Sequence, residues 1–146
     1  MATLTEILIS DAKRTAVIDD CCELIDAEVA HKSGLAGLAI KAGYGAVKGI
    51  KPGFIRQVVT DLLPEFSTAL DPIFQEAKTQ SKPVGEYLVA NCSRAADALL
   101  GITDAKAQRS KSTLIKGTYE KLRASAKKNV EAAIPRVGAL LQKQAG

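Results

Sequence analysis

The histidine of this chain, His31, follows Glu28 by three residues, the Glu-x-x-His spacing that presents two metal ligands from one turn of a helix. Carboxylate-bridged dimetal bundles use that pair twice, together with two further carboxylates, so a chain with one histidine supplies half a site. Both residues also stand where a helix is expected to end, and a cationic imidazole there simply complements the helix dipole. Glu28 and His31 are therefore the candidate metal ligands, set against that plainer role. Asp19, Asp20, Glu23 and Asp26 are the right type for general acid–base work, which needs one carboxyl desolvated. Their positions opposite an apolar stripe predict water-facing groups instead. A Ser nucleophile would have to draw on His31, and no strand-to-helix elbow presents one. No catalytic residue and no cofactor are expected.

Two further patterns invite chemistry and fail on spacing. Gly43, Gly45 and Gly49 mimic a phosphate loop, but three residues separate the last two where a dinucleotide fingerprint has two. Ile50 also follows where a nucleotide loop needs Lys and Ser or Thr. Cys21, Cys22 and Cys92 form neither a Cys-x-x-Cys pair nor an even disulfide framework, and read as small buried hydrophobes of a reducing compartment.

The elements that carry these residues read as helices throughout. Ala is abundant, alternating β-branched runs are missing, and Gly and Pro punctuate the segments. Thr3 and Glu6 make a capping box for a short opening helix. Ile18, Cys21, Cys22, Ile25 and Val29 repeat as one stripe of a second helix that stops near Lys32-Ser33-Gly34. Residues 34–50 keep helical periodicity despite five glycines after Gly34 is counted with Gly37, Gly43, Gly45 and Gly49. Ala39, Ala42, Gly43, Ala46 and Gly49 predict close helix packing, hence a place in the middle of a bundle. Pro64 and Pro72 make residues 54–77 two helices or one kinked helix. Ser81 and Pro83 predict the next start, Gly101 a stop, and Thr103-Asp104 one short turn. The last stretch, Ser112 to about Gln144, carries the stripe Ile115, Tyr119, Leu122, Ala126, Val130, Ile134, Val137 and Leu141, with Pro135 dividing it. The expected architecture is all-α: a single compact bundle of about five to seven helices spanning 1–146, with a central Gly/Ala-rich helix.

Ser33 to Tyr44, continuing through Lys51-Pro52-Gly53-Phe54, resembles a hallmark stretch of an uncharacterised family of small all-helical bacterial proteins. Thr103-Asp104-Ala105, Asn129-Val130, Ile134-Pro135-Arg136 and Ala139-Leu140 are similar to that family too. The resemblance implies a bacterial, all-helical domain of unknown function and transfers no activity, cofactor or catalytic residue.

With 146 residues, 47% hydrophobic and 25% charged, the chain can build a core and is not a disordered one. No stretch reaches the roughly 18 uncharged apolar residues of a membrane span. The opening Met1-Ala2-Thr3-Leu4-Thr5-Glu6 lacks the basic region of a secretory signal, so a cytoplasmic location is expected. The net charge of +4 hides an alternation. Residues 1–31 carry −5, 32–60 carry +5, 61–104 carry −4 and 105–146 carry +8, counted from their Asp, Glu, Lys and Arg. Either acidic helices lie against basic ones, the favoured reading, or the basic blocks form an anion- or partner-binding face. Lys41, Lys48, Lys51, Arg56, Lys116, Arg123 and Lys127 are the candidates for such a face. Nucleic acid is not favoured, because the few aromatics of the basic blocks fall on core stripes.

The leading expectation is a non-enzymatic interaction or scaffold protein of the bacterial cytoplasm, with a protein partner or self-association. The alternative is a binder of a hydrophobic ligand or of an anionic membrane surface through the Gly-rich basic segment 34–56, with peripheral membrane contact. The third reading is a metal-binding or enzymatic bundle centred on Glu28 and His31.

Overall fold

The Thr3 hydroxyl accepts from the Glu6 backbone N–H at 3.1 Å and opens α1, Leu4–Leu8. The computed structural model describes residues 2–32, 34–49 and 53–146 of the chain. Six further helices follow: α2 Arg14–His31, α3 Gly34–Lys48, α4 Phe54–Thr79, α5 Val84–Ala90, α6 Cys92–Arg109 and α7 Thr113–Ala145. The described residues hold no strand, as expected of an all-α fold. Lys51, one of the basic residues singled out above, lies outside the described residues.

Helix α4 runs through Pro64 and Pro72 as one helix, one of the two alternatives expected, whereas the division expected at Pro135 of α7 does not occur. All three prolines are exposed, so the carbonyls they leave unbonded face water instead of the core. Gly101 does not stop α6 but sits inside it, exposed. Burial of Ala95, Ala96 and Leu100 on the same helix outweighs the cost of one glycine, about 0.8–1.0 kcal/mol. Ser81 takes a positive φ of 56° in the turn, and α5 starts only after Pro83.

The packed core lies at one end of the molecule. Leu4, Val17, Phe74, Leu88 and Ile134 are essentially inaccessible to water, and Leu8, Leu70, Ile73 and Ala77 surround them. Helix α1 is pinned there by the Leu4 N–H, which donates to Asp71 of α4 at 2.8 Å. Helices α5 and α7 cross with their backbones almost touching: a Cβ on Gly138 would stand 2.9 Å from the Gly85 carbonyl oxygen, and one on Gly85 would stand 3.0 Å from that of Gly138. Toward the other end the packing thins. All buried residues of α7 fall at Ile134 or beyond, so its first two-thirds bury none completely.

Helix α3 is placed differently from the expected central position. It touches α2, α4 and α7 on one side. Gly37, Ile40, Gly43 and Tyr44 turn inward, while Ala39, Ala42, Gly45, Ala46 and Gly49 are exposed and Leu38 is 65% exposed. The helix is a cover on the bundle. Its bulky inward side chains do the packing, and its small residues largely face water. Gly43 is the exception, since a Cβ there would come 3.0 Å from Thr118 and 3.3 Å from Leu122 of α7.

Gly138→Ala is expected to lower stability by about 1–3 kcal/mol by forcing apart the α5–α7 crossing. Gly45→Ala, with nothing within 4 Å of the added methyl, is expected to raise stability by about 0.8–1.0 kcal/mol through helix propensity. Equilibrium urea unfolding of both variants checks this, and effects of the same sign would refute the placement of the close contact.

Candidate functional site

Tyr119, Leu122, Ala126, Val130, Val137 and Leu141 all belong to the stripe expected to pack α7 into a core. In the folded chain they line a cavity of about 450 Å³ instead. Cys21, Ile25 and Val29 of α2 form the facing wall, with Leu63, Phe66 and Leu70 of α4 and Leu99 and Leu100 of α6 closing the sides. Of the 34–56 segment anticipated as a hydrophobic-ligand element, Ile40 reaches this wall. The cavity is overwhelmingly apolar and communicates with solvent. Its volume falls within the roughly 300–1,000 Å³ range of small-molecule sites.

The polar side chains on this wall have local partners. The Ser67 hydroxyl donates to the Leu63 carbonyl at 2.7 Å. The Tyr119 hydroxyl donates to Asp104, stands 2.9 Å from the Thr103 hydroxyl, and shares Asp104 with Arg123. Burial first, and then donation to Asp104, raises the Tyr119 hydroxyl above its ordinary range, so it stays protonated. Burial likewise pushes the Cys21 thiol up to about 11, which leaves it an apolar wall group and no nucleophile. Asn129 donates to the Ser125 hydroxyl at 3.3 Å.

Glu28 and Lys32 supply the charged part of the rim. Glu28 Oε1 accepts from Arg136 Nε at 2.7 Å, and Lys32 Nζ lies 3.4 Å from Glu28 Oε2. The carboxylate expected as a metal ligand is thus held between two cations. His31 is exposed on the next turn with Nδ1 2.7 Å from the Ala27 carbonyl oxygen. Among the described residues no three His, Cys, Asp or Glu side chains converge as a metal site would require.

The basic residues singled out as an anion surface are distributed over ion pairs. Lys48 pairs with Asp26, Arg56 with Asp19, Arg123 with Asp104 and Lys127 with Asp97. Lys41 and Lys116 are exposed and enter no ion pair among the described residues. Asp20–Lys143, Glu65–Lys106 and both Glu28 pairs also join an acidic block of the sequence to a basic one. Glu76–Arg94, between α4 and α6, joins two residues of the same block. The charge alternation is therefore written largely into contacts between helices. Most of these partners are substantially exposed, so each pair contributes at most about 1 kcal/mol.

No helix among the described residues is long and apolar enough to cross a membrane. The model of a protein family described as of unknown function matches residues 4–145. No curated protein and no solved structure matches the chain.

The ion pairs set an acid limit. The Arg94 guanidinium, with help from the Tyr87 hydroxyl, lowers the Glu76 carboxyl from its ordinary 4.5 to about 2. Arg123 and then Tyr119 lower Asp104, and the Gln144 amide followed by Lys143 lowers Asp20. Carboxyls lowered by folding add stability that is complete above their ordinary values and disappears as pH falls through the lowered ones. Urea midpoints of the wild type are expected to fall between pH 4.5 and 2, and those of Glu76→Gln to fall less steeply. Parallel curves for the two proteins would show that the Glu76–Arg94 contact is not formed in solution.

Proposed function

We propose that this chain, which belongs to the family of unknown function DUF6918, binds a hydrophobic small molecule inside its helical bundle. The observation that carries the proposal is the 450 Å³ apolar cavity between α2, α4, α6 and α7. The cavity opens to solvent, so in the empty protein water meets an almost wholly apolar wall. Covering that wall with a hydrophobic molecule releases this water and gains about 25 cal/mol per Å² of apolar surface removed from it.

The chemistry available is binding, not turnover. The wall offers aliphatic side chains, a protonated thiol and hydroxyls already engaged within the protein. These groups suit a flexible hydrocarbon with few polar atoms. Helix α3, packed by one side over the α2–α7 seam, is the element through which such a molecule would enter and leave. Ile40 is its contribution to the wall among the described residues.

Titration with the neutral apolar fluorophore N-phenyl-1-naphthylamine is expected to give saturable, one-to-one binding at micromolar concentration. Ala126→Phe and Ala133→Phe, both on the wall, are expected to raise the melting temperature and abolish probe binding. In a closely packed core the same changes would instead destabilise by about 1–3 kcal/mol. Absence of saturable binding by the wild type, or destabilisation by both variants, would defeat the proposal.

A further inference from the structure

The charged rim of the cavity has an imbalance that the apolar wall does not explain. Glu28 and Lys32 both line the cavity, and their side chains are only 15% and 18% exposed. Charges withdrawn this far from water are normally matched and fully hydrogen-bonded. Among the described residues two cations face this one carboxylate: Lys32 on the cavity lining, and Arg136, 41% exposed and just outside the lining, which leaves a surplus positive charge beside the rim.

The donors of both cations are only partly spent. Lys32 Nζ carries three N–H bonds, and its 3.4 Å separation from Glu28 exceeds an ordinary N–H···O hydrogen bond. Arg136 uses Nε on Glu28, while its Nη2 lies 3.3 Å from His31 Nδ1. The Ala27 carbonyl, 2.7 Å from that nitrogen, can only accept, so Nδ1 carries the proton. A protonated Nδ1 cannot accept from Arg136, and the outer face of the guanidinium keeps its donors. The α2 C-terminus and the α3 N-terminus adjoin here, and their opposite dipoles largely offset one another.

We infer that this rim holds the anionic head of a single-chain amphiphile of the fatty-acid class, with Lys32 and Arg136 as the carboxylate's partners and the tail in the cavity. The inference rests on the proposed hydrophobic-ligand reading and deepens it. From the level of Arg136 to Tyr119, α7 extends about 25 Å at 1.5 Å per residue, so the wall accompanies a long-chain tail over its length. Tyr119 closes the far part with a hydroxyl committed to Asp104, which suits a terminal methyl better than a second polar group. Glu28 competes with the ligand carboxylate for the two cations. It keeps the rim ion-paired when the site is empty.

Displacement of N-phenyl-1-naphthylamine by chain-matched hexadecanoate, hexadecyl phosphate and hexadecanol tests this. Hexadecanoate is expected to displace the probe at about ten-fold lower concentration than hexadecanol, ~1.4 kcal/mol in its favour. Lys32→Met and Arg136→Met are each expected to erase most of that preference while leaving hexadecanol unchanged. Glu28→Gln is expected to strengthen hexadecanoate binding several-fold, the opposite of what loss of a merely structural ion pair would do. Equal displacement by hexadecanoate and hexadecanol overturns the head-group assignment and leaves the cavity reading standing. Failure of the probe to bind defeats the cavity reading itself. Preference for hexadecyl phosphate over hexadecanoate overturns the carboxylate class, and weakened hexadecanoate binding by Glu28→Gln overturns the role given to the surplus charge.

Discussion

Helix α7 is longer than the core that holds it. Its last turns are locked, with Gly138 against Gly85 and with Ile134 and Leu141 among the fully packed side chains. Its first two-thirds carry the same apolar stripe beyond the reach of those partners. A rigid helix cannot fold that stripe away, so α6 packs directly against this part of α7, with Thr103 and Asp104 on Tyr119, while α2 and α4 face it across the cavity. The cavity is the space left by that geometry. The placement of α3 follows, because the remaining opening beside α7 needs a cover and α3 brings Ile40 to it, while its Tyr44 hydroxyl donates to Asp26 of α2.

The composition explains why the space is not filled from within. Aromatics make up 4% of the chain, and Ala is the commonest small residue on the stripes. At Ala126 and Ala133 a larger side chain would project into the cavity. A protein selected for tight packing would use those positions. The ion pairs then hold the walls at their separation: Asp20–Lys143 and Glu28–Arg136 tie α2 to α7, while Asp97–Lys127 and Asp104–Arg123 tie α6 to α7. Individually each is weak. Together they fix which helices face one another without adding apolar bulk.

Most of the helices could be read from the sequence, because capping at Thr3 and Ser112 and the apolar stripes act locally. The breaks were less legible. Pro64, Pro72 and Pro135 are tolerated because they face water, which depends on neighbours distant in sequence. The glycines divide in the same way: the chain gives Gly45 and Gly138 identical letters, yet only Gly138 has another backbone against it. The site was half visible. Periodicity identifies Tyr119, Leu122, Ala126 and Val130 as hidden from water, but it carries no information on whether protein or empty space lies opposite them. Glu28 and His31 drew attention for their spacing, whereas the partner that gives Glu28 its setting, Arg136, stands 108 residues away.

The gap beside α7 has a consequence for hydration. Because it opens to solvent, its apolar wall is wetted in the empty protein. A hydrocarbon seated there takes that wall out of water, and removal of apolar surface from water lowers the heat capacity. Occupancy of the cavity is therefore written into the heat capacity of the folded chain, independently of any change in the contacts that hold its helices together.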